Sequence, residues 1–261
     1  MAHHRDDRLA SSDWPEIVQK IRAKTPARLL EGRAGVGYRT STQMELREAH
    51  AAARDAVRLG LDLEKDFGAA FIRKWDLFEV CTQAKTKDEY LLRPDLGRQL
   101  SVASRDRLLQ RCSTANNLQI IVGDGLSVTA VSAQVPALLE LLHEGGKARD
   151  WSIGQTLVVR HCRVGVLNEV GELLTPSVAI LLIGERPGLA TAESLSAYLA
   201  YQPRMTHTDA DRNLISNIHQ RGVSTDQAAV RILNLAGQMM AARSSGCQLR
   251  EEFPPLPDSS C

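Results

Sequence analysis

The sequence predicts an α/β protein: a parallel-sheet domain preceded by a mainly helical N-terminal region. Three observations predict it. The runs "LQIIVGDGLS" (118–127), "TLVVRHCRVG" (156–165) and "VAILLIGERPG" (178–188) are short, apolar and valine- or isoleucine-rich, as strands covered on both faces must be. A helical stretch containing "PALLELLHEGG" separates the first two, which is the connection parallel strands require. Upstream of residue 110 the patterning is helical. The chain of 261 residues, 43% hydrophobic and 24% charged, is long enough to bury a sizeable core. The expected organisation is a tail and first helix (1–24), a helical region (25–110), the sheet domain (111–250) and a C-terminal tail (251–261).

In chain order, "WPEIVQKIRA" opens a helix, with Pro15 in its first turn and Ile17, Val18 and Ile21 at helical spacing. Thr25 and Pro26 interrupt it, and Gly32, Gly35 and Gly37 form a loop. "TSTQMELREAHAAARDAVRLG" is alanine-rich and closed by Gly60, a strong helix. Residues 61–110 read as further helices and turns. Pro136 is placed to start the helix between the first two strands, and Gly145 to end it. A helix-like segment follows the strand at 178. Thr208 to Asp211 fits a capping box opening a helix that Gly222 stops. Ser224 to Gln227 fits another, opening a helix that buries Ala229, Ile232, Leu233, Ala236 and Met240.

Composition excludes several classes. A formal net charge of +1 with no basic stripe argues against nucleic acid as partner. The longest apolar run falls well short of the ~18 residues a membrane helix needs. The polar first 14 residues lack the apolar core of a secretory signal. Five scattered cysteines without a CxxC pair fit a reduced, cytoplasmic protein.

Motifs for self-contained chemistry are missing. "GRAGVG" (32–37) has the wrong order for a dinucleotide loop, and "HEGGKA" lacks the Ser or Thr a Walker motif places after Lys147. There is no HExxH, no GxSxG and no metal-ligand spacing; His161 and Cys162 are adjacent on a strand and point to opposite faces. We therefore expect no catalytic residues and no metal ligands in this chain. What remains is positional. Ligands of open parallel sheets bind beyond the carboxyl ends of the strands, and all three strand ends here, "GDGLS", "RHCRVG" and "GERPGL", are polar or glycine-rich. Tight turns, with Glu185 bonding backbone N–H groups, would explain the same residues. The residues alone thus leave a binding subunit, a dinucleotide-binding domain and an assembly subunit all open.

Several blocks in order, "TPARLLEGRAGVGYRT" (25–40), "YLLRPDLGRQL" (90–100), "IIVGDGLS" (120–127), "LLIGERPGL" (181–189) and "YQPRMTHTDADRNLISNIHQRG" (201–222), resemble the small (light) subunit of ethanolamine ammonia-lyase. The resemblance implies a Rossmann-like domain completing an adenosylcobalamin site against a large subunit, in a lyase that converts ethanolamine to acetaldehyde and ammonia. The cofactor supplies radical chemistry and the protein supplies binding and orientation. Family cofactor contacts carry over to Val164, Glu185 and Leu214, the last standing where relatives can carry cysteine. A core leucine beside Ile215 and Ile218 is the alternative for Leu214. Asp124 and Arg163 are neighbours of these positions without a residue-level warrant. The family often works in bacterial microcompartments, sometimes directed by an N-terminal extension that is short here. Cobalamin proteins that ligate cobalt with histidine use D-x-H-x-x-G; His161 has Val159 and Val164 in place of the Asp and Gly, so cobalt is expected to keep its own base.

Overall fold

The computed structural model describes residues 15–24, 29, 31, 33–187 and 191–251. The expectations for residues 1–14, Thr25, Pro26, Gly32, Gly188, Leu189 and the tail from 252 lie outside these residues.

A helix α1 (Glu16–Ala23), a short hairpin of β1 (Arg33–Ala34) and β2 (Gly37–Tyr38), and helix α2 (Thr40–Arg58) begin the chain. The region continues with α3 (Leu63–Phe67) and α4 (Ala69–Lys74), then a strand β3 (Phe78–Cys81), α5 (Lys87–Leu92) and α6 (Val102–Arg111). The α/β core comes next as β4 (Leu118–Gly123), α7 (Val128–Lys147), β5 (Leu157–Arg160), α8 (Val166–Leu174) and β6 (Val178–Gly184). It closes with β7 (Leu195–Tyr201), β8 (Asn213–Ile218) and α9 (Thr225–Ala242).

Six strands form one sheet in the order β3-β5-β4-β6-β7-β8. The first four are parallel; β7 and β8 add antiparallel. Every residue of β4 and β6 is buried, as their unbroken apolar runs require. The two faces have separate cores. One packs α7 and α9 on the sheet through Leu138, Leu142, Ile232 and Met239; the other packs α8 and α6 through Val166, Leu167, Val170 and Leu108. Helices α7 and α8 therefore leave neighbouring strands β4 and β5 toward opposite faces. Their loops part at the carboxyl rim and leave a crevice.

Several local expectations differ from the structure. Pro136 lies inside α7 rather than at its start. Proline removes one helical hydrogen bond, and the buried flanks Val131, Val135, Leu138 and Leu139 hold the helix through the gap. The segment after β6, read as helix-like, is not helical over its described residues 191–194 and leads into β7, whose alternation puts Leu195, Ala197 and Leu199 in one core. The capping box at Thr208 forms, but it opens only a single 3₁₀ turn (Asp209–Asp211). The chain then pairs with β7 as β8, burying Ile215 and Ile218. A cap licenses one helical turn; beyond it, sheet pairing sets the conformation of 213–218. The strand β3, from the region read as helical, also joins the sheet, as its parallel edge.

Among the described residues no helix is long and apolar enough to cross a membrane, and no group of three His, Cys, Asp or Glu side chains gathers as metal ligands.

His143 on α7 carries a pH-dependent part of the stability. Its ring packs 4.5 Å from Trp75, and Nε2 lies 3.3 Å from Thr156 Oγ1. Burial, reinforced by Lys147, lowers its pKa to about 4. The unfolded chain takes up this proton near pH 6.5, whereas the native chain resists it to about 4. Stability is expected to fall as pH drops through that window, by about 1–2 kcal/mol after allowing for partial solvent screening. Urea midpoints from pH 7 to pH 4.5 should show the decline in the wild-type protein and a shallower one in His143→Phe.

Candidate functional site

The loop beyond β5 is tied by backbone bonds to the loop beyond β4 and to the turn at Gly97. Cys162 N donates to Asp124 O at 2.8 Å, and Arg163 N donates to Gly97 O at 2.8 Å. Ser127 caps α7 by accepting from Ala130 N at 3.2 Å. Gly184 packs so close to this cap that a Cβ there would stand 1.9 Å from Ser127 O, so only glycine fits.

Charge under the rim is anchored. Asp124, with a fully buried side chain, pairs through Oδ1 with Lys87 Nζ at 3.1 Å, and the same ammonium donates to Gly125 O at 2.7 Å. Arg163 lays its guanidinium 4.1 Å above the Tyr90 ring and donates Nη2 to Tyr90 O at 2.9 Å. Burial raises the Tyr90 phenol and the Cys162 thiol, so neither supplies an anionic nucleophile.

Glu185 begins the loop after β6 and fastens the antiparallel strands to the parallel sheet. Its Oε2 accepts from Ser194 Oγ at 2.7 Å; its Oε1 accepts from Ser196 Oγ at 2.8 Å and from Asn217 N at 2.7 Å. A carboxylate has about four acceptor sites, so one remains for a donor in the crevice. Burial, with the charge of Glu185, raises the phenol pKa of the neighbouring Tyr198.

The structure brings the three sequence-derived positions together. Val164, Glu185 and Leu214 all line one open cleft of about 320 Å³, with Leu126, Ile183 and Tyr198. Leu214 is not a core leucine: it is 47% exposed, on the face of β8 opposite Ile215 and Ile218, across from Tyr198. Arg163 also lines the cleft, whereas Asp124 lies beneath it, paired with Lys87. Sequence reading missed Tyr198, Leu126 and Ser196. The alternation in "LSAYLAY" was the available signal for Tyr198 and Ser196, since strand periodicity puts them together on the face away from Leu195 and Leu199. His219 is buried beyond β8 with Nε2 2.7 Å from Asn217 Oδ1.

The cleft is apolar on its flanks and carboxylate-bearing at one wall. It also lies at the small end of pockets that enclose an organic ligand. The apolar side chains of Leu126, Val164, Ile183 and Leu214 would suit the face of a corrin, and the spare Glu185 acceptor would suit the amide N–H groups on its periphery.

Fold and site together define an α/β protein with an open crevice at the carboxyl rim of its sheet. Comparison with known proteins narrows the class. The chain belongs to the ethanolamine ammonia-lyase light chain (EutC) family, whose model matches residues 15–250. It is 41% identical to the ethanolamine ammonia-lyase small subunit of Clostridium perfringens over 235 residues, covering 90% of this chain and 78% of that one. It is 42% identical to that of Clostridioides difficile with the same coverage, and 39% identical to that of Clostridium acetobutylicum, covering 95% of the latter.

Proposed function

We propose that this chain is the small subunit of an adenosylcobalamin-dependent ethanolamine ammonia-lyase. In this reading it covers one side of the cofactor against a large subunit, and the enzyme converts ethanolamine to acetaldehyde and ammonia. One observation carries the reading: Val164, Glu185 and Leu214, from three separate segments, converge on one cleft at the carboxyl rim. When bound, the cofactor supplies the radical chemistry. The chain supplies apolar support from Val164 and Leu214 and a fixed acceptor at Glu185. With no base–nucleophile pair among the described residues of the cleft, the substrate and its catalytic groups belong to the partner.

Co-expression with a family large subunit is the test. Acetaldehyde should form from ethanolamine only with both chains and adenosylcobalamin present. Activity from the large subunit alone would refute the reading, as would activity without the cofactor.

Cobalt keeps its own benzimidazole base in this reading. His161 cannot swing to a metal cheaply: Nδ1 lies 2.9 Å from Ala84 O and the ring stacks on Tyr90 at 6.3 Å. Electron paramagnetic resonance of the cob(II)alamin form, with ¹⁵N-histidine protein, should show a nitrogen coupling that labelling leaves unchanged. A change in that coupling on labelling would place histidine on the metal instead.

A further inference from the structure

We infer that the larger compartment beside the cleft receives the phosphodiester of the cofactor's nucleotide loop, an inference that rests on the corrinoid reading above. Cobalamin carries one permanent anion, the phosphodiester that links the corrin side chain to the ribose of its base. A chain that covers the side of the ring from which this loop hangs would have to meet that charge.

The compartment has a volume of about 820 Å³ and opens off the same rim, sharing Arg163, Val164, Tyr198 and Leu214 with the cleft. Arg98, Arg163 and Arg212 line it against a single carboxylate, Asp209, which leaves a surplus of positive charge. Guanidinium groups suit phosphate oxygens in charge and in planar donor geometry. Arg212 is fixed in place: its side chain is 5% exposed, paired with Asp209 and donating Nη2 to Asn168 Oδ1 at 3.0 Å. Arg163 Nε, Arg212 Nε and His207 Nδ1 are buried without a partner, an uncommon concentration of unsatisfied nitrogens around one compartment.

Arg98 is the adaptable member. It is exposed, and its guanidinium has no partner among the described residues. Gly165 makes room for its stem at the start of α8, since a Cβ there would stand 2.9 Å from Arg98 Cγ. The first turn of α8 adds a partial positive charge to the same wall.

A second basic cavity of about 520 Å³, with Arg54, Arg58 and Arg186, lies on the other flank. It touches neither Val164 nor Leu214, and Arg54 and Arg58 already face Asp55 and Asp88. The phosphodiester therefore belongs on the Arg98 side.

Equilibrium dialysis of the co-expressed two-subunit complex tests this with three ligands: cyanocobalamin, cobinamide phosphate, which lacks the base, and cobinamide, which lacks phosphate and base. The wild-type complex should prefer the first two over cobinamide. Arg98→Met should reduce that preference about tenfold, the loss of one charge-assisted contact, with cobinamide binding unchanged. An equal loss for all three ligands would overturn the inference. So would cobinamide phosphate that binds no better than cobinamide, or the same selective loss from Arg54→Met instead of Arg98→Met. If none of the three binds the wild-type complex, the corrinoid reading fails and this inference with it.

Discussion

Replacing Glu185 with alanine should lower the affinity of the assembled complex for adenosylcobalamin by about 10- to 100-fold, the value of one charge-assisted hydrogen bond in a desolvated site. Two effects contribute. In the proposed reading, the variant removes the acceptor offered to the corrin amides. It also unties the rim, because Ser194 Oγ, Ser196 Oγ and Asn217 N all lose the same partner. Those donors sit on or beside β7 and β8, so the wall bearing Tyr198 and Leu214 loosens with them. Glu185→Gln separates the two contributions. Its amide oxygen can still accept from Asn217 N and Ser196 while the charge is gone, so its affinity should fall between wild type and Glu185→Ala. Binding is read by the absorbance change of the corrinoid, and assembly by co-purification of the large subunit. Intact assembly with unchanged affinity in both variants would make this chain an assembly subunit with no cofactor contact.

How much of this was legible in the sequence depends on which forces set each element. Strands β4 and β6 announce themselves, because burial on both faces leaves no polar residue in "IIV" or "VAILLI". Helix α9 does so through its capping box and apolar face, where Ala229, Ile232, Leu233 and Ala236 are buried as expected, although the buried methionine is Met239 and Met240 is only partly buried. Elements governed by distant pairing were not legible. "NLISNI" has no decisive local preference, and its strand form is imposed by β7, itself placed by β6. The rim came from a positional rule about parallel sheets, but convergence on one cleft needed β8 as a strand. A helix over 208–222 would have given Leu214 a different neighbourhood. The resemblance thus pointed to Leu214, which does line the cleft, while local patterning assigned it the wrong element.

Lys87→Met should destabilise the fold by about 3 kcal/mol, the usual range when one partner of a buried ion pair is removed. The pair is well covered, with side chains 14% and 1% exposed for Lys87 and Asp124. Asp124 Oδ2 already has no partner. Losing the ammonium leaves the carboxylate uncompensated beneath the rim, and Gly125 O loses its donor as well. The stem of methionine replaces most of the packing, so the loss reports charge rather than volume. In the Lys87→Met background, Asp124→Asn should recover part of the stability by removing the stranded charge. Urea denaturation of the four proteins of this cycle gives the coupling directly. A single-variant loss under about 1 kcal/mol would mean that water already screens the pair. The defect should also reach the cleft. Asp124 O holds Cys162 N, one residue before Arg163 and two before Val164, so a carboxylate that shifts toward solvent drags the β5 loop with it. Lys87→Met should therefore weaken corrinoid binding although Lys87 lines no part of the cleft, and the double variant should restore binding in step with stability.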